Sequence, residues 1–368
     1  MAETSRRTPP FAVIAPLVIA PLVIAALLVV PLADLLSSDS PARPDPDPDP
    51  TSLSAPSADP DLPPIVVEAD AGPSGDGTTQ RPFGSIQQAL ERAEPGQTVQ
   101  VGPGTYRETI RSVRPGRPGA PITIAGRDAE IAGDDDVNHL VEITHDHLVL
   151  EGLELRDAST LVYLAGASET RILDNDIHDA EGECVRIKYQ SVGNEVAGNR
   201  ITDCGVEDFD LDDDNKNGEG VYIGTAPEQL DDNPTDEPDE SNANHVHDNE
   251  IDVPAECVDV KEYARANVIE ANTCTGSQDP DGAGLSSRGI GTVFRANTSS
   301  GHTGAGIRLG GDTDDDGTDS VVRDNVLRDN DGYGLRVVTE PQRLLCGNEV
   351  SGNGRGAVND DIELTASC

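Results

Sequence analysis

Residues 172–177 read Ile172-Leu173-Asp174-Asn175-Asp176-Ile177, and the chain repeats that phrase. It returns as Val196-Ala197-Gly198-Asn199-Arg200-Ile201, as Val246-His247-Asp248-Asn249-Glu250-Ile251 and, shortened, as Ile269-Glu270-Ala271-Asn272. Further copies occupy 294–297, 322–327 and 345–350. The asparagines fall at 175, 199, 249, 272, 297, 325 and 348, at intervals of 24, 50, 23, 25, 28 and 23 residues. Such a period marks a solenoid. Short β-branched runs divided by Asn and Gly turns make its units strands, so the fold expected is all-β, a parallel β-helix. Each turn then hydrogen-bonds to the next at ~4.8 Å. An asparagine at the same corner of every turn can bond its neighbours above and below, so this series is structural.

A second strand follows each asparagine. Glu183-Cys184-Val185-Arg186-Ile187-Lys188, Glu219-Gly220-Val221-Tyr222-Ile223-Gly224 and Glu256-Cys257-Val258-Asp259-Val260-Lys261 align with 283–288, 305–310 and 333–338. The third and fifth positions are apolar except Ser287, so they face inward. The outward columns are then Arg186, Tyr222, Asp259, Ser286, Arg308, Arg336 and Lys188, Gly224, Lys261, Arg288, Gly310, Val338. The 50-residue interval is one turn with two insertions, 205–218 and 226–242, which flank the Glu219 strand. Long insertions leave a solenoid as loops on one face and wall a cleft. Before the repeats, 65–134 reads as the start of the coil. Ser85 N-caps a short helix running to Ala93, which covers the open end and its unpaired strand edges.

The 368 residues carry a formal charge of −42, three lysines (Lys188, Lys216, Lys261) and no tryptophan. That charge excludes nucleic acid as a partner, because phosphates are repelled. It also fits adaptation to high salt. The N-terminus reads as a basic region (1–10), an apolar signal peptide or signal-anchor (11–36) and a Pro/Asp-rich linker (37–64), with the folded domain at 65–368. Arg6 and Arg7 before the apolar run direct the rest of the chain outward, to the cell surface or beyond, and the apolar segment is the only membrane contact expected. Ser5-Arg6-Arg7 also hints at twin-arginine export. Six cysteines in an exported chain suggest disulfides. Fifteen pairings exist. Intervals of about one turn favour Cys184 with Cys204, Cys257 with Cys274, and Cys346 with Cys368.

The segment 65–133, with Val99-Gln100-Val101-Gly102-Pro103-Gly104-Thr105-Tyr106, resembles the start of secreted pectin-lyase-like proteins, whose fold is a right-handed parallel β-helix. The strand Glu256 to Lys261, the segment 267–273 and Leu285-Ser286-Ser287-Arg288-Gly289 one turn on resemble polysaccharide lyase family 6, the chondroitinase B and alginate lyase group. That resemblance implies β-elimination on an acidic, uronate-containing polysaccharide. Lys261 would take the C5 proton and Arg288 would assist the leaving oxygen. Glu256, with other acids, would hold calcium against the uronate carboxylate, the candidates being Glu219, Asp259 and the acidic loop 208–214. Arg308 continues the family's next turn, and Lys188, Tyr222 and Tyr263, on or beside the same face, join it as candidates for binding substrate. A lysine base needs a pKa lowered from about 10.4; a neighbouring Arg⁺ and Ca²⁺ lower it, and Asp259 opposes them. The chain departs from the family at Pro254, where a second calcium-binding acid usually stands, and in its longer Lys-to-Arg interval. Asp312-Thr313-Asp314-Asp315-Asp316-Gly317 has the first half of an EF-hand-like loop but no closing Glu.

Other readings fit the same residues. Lys261 and Arg288 can be an exposed ladder that neutralises neighbouring acids. The coil can be a non-catalytic surface protein, since fold alone implies no activity, or a glycoside hydrolase with two carboxylates in one groove. A monomer is expected.

Overall fold

The computed structural model describes residues 62–368 apart from 135, 214, 312, 360 and 361. The basic region, the apolar segment and nearly all of the linker lie outside the described residues. Among the described residues no helix is long and apolar enough to cross a membrane.

The chain winds into a right-handed parallel β-helix. One face is a ten-stranded sheet whose order runs from Ile110–Arg111 through His139–Ile143, Thr160–Ala165, Val185–Lys188, Val221–Ile223, Val258–Val260, Ala283–Ser287, Ala305–Leu309 and Tyr333–Val337 to Gly356–Val358. The other two faces join into a nineteen-stranded sheet, because Ile122–Ala132 and Leu148–Ala158 run unbroken round the corner between them. The alternation expected from sequence holds. Val185, Val221, Val258, Leu285, Ile307 and Leu335 are fully buried, while Arg186, Tyr222, Asp259, Ser286, Arg308 and Arg336 form one outward column in register. The inward exception, Ser287, is satisfied by Thr292 Oγ1 at 2.8 Å.

The asparagine corner explains the repeat. The residue before each asparagine has positive φ: Asp174 at 52°, Asp248 at 54°, Ala271 at 53°, Ala296 at 56° and Asp324 at 58°, with glycine at 198 and 347. That one left-handed residue turns the chain between two faces. The next residue buries its amide in the bend. Asn175 Nδ2 donates to Asn199 Oδ1 at 3.0 Å, and the chain of bonds continues through Asn249, Asn272, Asn297 and Asn325 to Asn348. Each Oδ1 also accepts the backbone N–H of the preceding asparagine. Otherwise buried polar groups are thereby paired at every bend. Two shorter ladders, which share the spacing of the first but span fewer turns, stand at other bends: Asn194, Asn244 and Asn267, and Asn330 with Asn353.

The helix Ile86–Leu90 caps the coil with Ile86, Ala89 and Leu90 buried. It is shorter than the expected Ser85 to Ala93, and Ser85 is its N-cap. The Glu108 carboxylate accepts from Ile86 N at 2.8 Å and Gln87 N at 3.2 Å, an anion where a helix start favours one. The three disulfides pair as expected, Cys184–Cys204, Cys257–Cys274 and Cys346–Cys368. They point to an exported protein, since cytosolic thiols stay reduced.

Candidate active site

Both insertions rise beside the ten-stranded sheet. The first folds back as a hairpin of Phe209–Asp210 with Asn215–Lys216. The second carries a 3-10 helix at Pro227–Asp232. Between them lies a cleft of about 450 Å³, and Glu219, Tyr222, Glu256, Asp259, Lys261, Arg288 and Arg308 all line it. Backbone bonds Lys261 N to Ile223 O and Arg288 N to Val260 O, both 2.8 Å, set the two cations on consecutive turns.

Asp259 is the centre of this group. It is 1% exposed despite its outward position, because Lys261 and Arg288 fold over it. Its Oδ2 receives Lys261 Nζ at 2.5 Å and Arg288 Nη1 at 3.5 Å, and its Oδ1 has no hydrogen-bond partner among the described residues. Lys261 Nζ lies 4.0 Å from Glu219 Oε1 and 4.4 Å from the Tyr222 ring centre. The Tyr222 hydroxyl donates to Gln229 Oε1 at 3.0 Å. Glu219, Glu256 and Asp259 each offer a carboxylate oxygen within 4.8 Å of the others.

Crowding three acids has electrostatic consequences. Burial, then the charges of Asp259 and Glu219, push Glu256 up to about 8. Burial, Glu183 and Asp259 push Glu219 up to about 7 against the pull of Lys261. Burial also opposes ionisation of Asp259, but Lys261 and Arg288 outweigh it and hold that carboxyl well below the ordinary range. Burial lowers the Lys261 pKa, yet Asp259, Tyr222 and Glu219 overcome it and hold the amine protonated. The lowered lysine pKa expected from sequence is therefore absent here, because Asp259 is in direct contact. The three oxygens suit a hard divalent cation: they are close, half of Asp259 is orphaned, and two partners resist ionising without added positive charge.

Two expected residues fall elsewhere. Lys188 is buried two turns toward the N-terminus, its ammonium 5.3 Å from the Tyr189 ring centre, and Tyr263 lies in the bend after Lys261; neither lines the cleft. Of the EF-hand-like loop, Asp312 lies outside the described residues, Asp314 and Asp315 are exposed, and Asp316 accepts from Thr313 N. In the acidic loop 208–214, Asp210 accepts from Asp212 N and Asp214 lies outside the described residues. Conversely, Gln229 and the Lys216–Asp279 pair at 3.0 Å line the cleft without a signal in the repeat, because the insertions and the bend before Ala283–Ser287 have no register.

Comparison with known proteins agrees with this architecture. Residues 70–130 match the family described as Protein of unknown function (DUF1565). An uncharacterized protein of Bacillus subtilis (strain 168), YwoF, is 30% identical over 131 residues, covering 31% of this chain and 28% of its own length. The chain thus spans little more than a quarter of that relative. Among solved structures, an alginate lyase from Paenibacillus sp. str. FPU-7 is similar with a TM-score of 0.62 and 19% identity, over 76% of this chain and 94% of the lyase. Pectate lyase Pel9A gives 0.54 and 14%, over 80% and 79%. ORF18 of Geobacillus virus E2 gives 0.56 and 16%, over 83% and 61%. These likenesses show the fold, a right-handed parallel β-helix.

Proposed function

We propose that the protein is an exported polysaccharide lyase that cleaves a uronate-containing glycan by β-elimination, with calcium held by Glu219, Glu256 and Asp259. The observation that carries this reading is the orphaned, buried Asp259 oxygen beside two more carboxylates, with Lys261 and Arg288 on the same carboxyl group. When bound, a hard cation would neutralise the uronate carboxylate and so acidify the adjacent C5–H. Lys261 takes the C5 proton once the acids that hold its amine charged are engaged elsewhere. The C5–H electrons become a C4=C5 double bond as the C4–O4 bond breaks, and Arg288 offers fixed positive charge to the departing oxygen. The proton collected by Lys261 completes the leaving hydroxyl, so no water is consumed. The apolar segment 11–36 would deliver or tether the domain outside the cell.

A hydrolase in the same cleft is the second reading. Glu256, held up to about 8, has the protonation of a general acid, and Asp259 stays ionised; their oxygens lie within 4.8 Å, near the ~5 Å of retaining pairs.

One assay separates these. The protein is incubated with alginate, pectate, dermatan and hyaluronan in Ca²⁺, and absorbance of the unsaturated uronate is followed. The lyase reading expects a signal that EDTA abolishes and that Lys261→Ala lowers by about 100-fold or more. New reducing ends without absorbance identify a hydrolase. Binding with neither product leaves a non-catalytic glycan binder.

A further inference from the structure

A second cleft lies on the same outward face, N-terminal to the acidic trio along the coil. Its volume is about 670 Å³, and its walls include His139, Tyr163, Tyr189, Gln190 and Glu237. Register fixes its distance from the first. Tyr163 pairs with Arg186, Arg186 with Tyr222, and Tyr222 with Asp259. Three strand steps, about 14 Å at ~4.8 Å each, therefore separate Tyr163 from Asp259. One step is close to the length that one pyranose residue adds to an extended chain. The insertion 226–242 borders both clefts, with Gln229 in the first and Asn233 and Thr235 in the second.

Three rings build the wall. His139 and Tyr163 stack with centroids 3.8 Å apart, and Tyr189 meets Tyr163 edge-on at 6.2 Å. Tyr189 is held there against the preference of its backbone. Tyr189 and Gln190 are consecutive non-glycine residues in the left-handed region, at φ 57° and 65°, and such residues persist only where the surroundings impose them. The imposing group is Asp239, 1% exposed, which accepts the N–H of Tyr189 at 2.9 Å and of Gln190 at 3.0 Å. The hydroxyls of Thr225 and Ser241 fix Asp239 in turn, at 2.7 and 2.8 Å.

Charge selects the occupant. Among the described residues, no lysine or arginine lines this cleft. Glu142 is engaged by Arg111, Glu237 is exposed, and His139 stays neutral, lowered to about 4 by burial and by Arg186, Arg111 and Lys188. The first cleft, by contrast, is lined by Lys216, Lys261, Arg288 and Arg308. A uronate carboxylate is repelled by Glu237 in the second cleft. An uncharged pyranose packs its C–H face on a tyrosine ring and donates hydroxyls to Gln190 and Glu237.

We infer that the second cleft is a remote subsite in which Tyr189 and Tyr163 seat an uncharged sugar of the same polysaccharide whose uronate lies over Glu219, Glu256 and Asp259. The inference rests on the lyase reading for the place of the uronate, and it narrows the substrate to a polymer whose uronates are spaced by uncharged sugars. Asp239 is a positioning residue for Tyr189.

The test is a titration of the full chain carrying Lys261→Ala, followed by tyrosine emission, which six tyrosines and no tryptophan make readable. The probes are hyaluronan, unsulfated chondroitin and gellan oligosaccharides, whose uronates are spaced by uncharged sugars, against alginate and pectate oligosaccharides of equal length. The spaced oligosaccharides are expected to bind about tenfold tighter, and Tyr189→Ala to remove that margin. Tyr189→Phe keeps the ring and the margin. Glu237→Lys, on an exposed loop, raises alginate affinity severalfold. Equal or tighter binding of alginate or pectate, a margin that survives Tyr189→Ala, no gain in Glu237→Lys, or no binding by any spaced oligosaccharide overturns the inference. The two readings fail separately. Tyr189-dependent binding with no unsaturated product from the unsubstituted chain removes the lyase and leaves the subsite, whereas product whose formation ignores Tyr189 does the reverse.

Discussion

Glu195 shows how a single outward residue can matter on this coil. Its carboxylate meets Arg171 Nε at 2.5 Å and His247 Nε2 at 3.0 Å, one turn to either side. Burial would raise its pKa, but hydrogen bonds from His247 and Arg171 outweigh that and bring it to about 2, below the ordinary 4.5. A depressed acid stabilises the fold fully above its unfolded value and loses that contribution as pH falls through the folded one. Glu195→Gln is therefore expected to cost about 2 kcal/mol at pH 7 and progressively less from pH 4.5 down to pH 2, as read by urea unfolding across that range. Single residues were unevenly legible. Two-residue alternation was enough to set Lys261, Arg288, Asp259 and Tyr222 on one face. It could not tell that Lys188, in the same column as Lys261 and buried like it, would stand outside the cleft, because the cleft walls come from the insertions rather than from the repeat.

At the scale of the element, the asparagine corner does most of the work. Asn249 Oδ1 accepts both the N–H and the Nδ2 of Asn199, and its own Nδ2 donates to Val196 O and Asn272 Oδ1. Asn249→Ala orphans buried donors on one side and acceptors on the other. The expected loss is about 2–4 kcal/mol in thermal or urea unfolding, since each buried polar group left alone costs about 1–3 kcal/mol. Asn249→Asp, whose protonated carboxyl at low pH keeps an acceptor oxygen and one of the two donated bonds, should fall between there. This ladder was legible because seven asparagines recur at intervals near one turn, 23 to 28 residues, apart from one doubled gap of 50. The second and third were not. Thr170 N donates to Asn194 at one end of the second, and His302 N donates to Asn330 in the third, so other side chains take the place of asparagine after two or three turns and the series are too short to stand out.

At the scale of the molecule, charge is the dominant feature. Acids outnumber bases 68 to 26, and ion pairs along the outer faces offset only part of that repulsion. Added salt screens repulsion and attraction alike, and the excess sign decides the balance. The melting temperature is expected to rise by about 5 °C or more between dilute buffer and molar NaCl; a flat or falling midpoint by calorimetry would remove the high-salt reading. The two insertions were legible as cleft walls from the doubled 50-residue interval, but their contacts were not, since no periodicity governs them.

The shared register of the ten-stranded sheet has one more consequence. Because every turn advances the coil by the same increment, the offset between the two clefts can change only by whole turns. On the subsite proposed above, duplicating a single 23-residue unit between them would slide one recognition point along the polymer by one sugar while leaving both intact. A lineage built this way would alter substrate choice by arithmetic, through gain or loss of turns, before any contact residue had mutated.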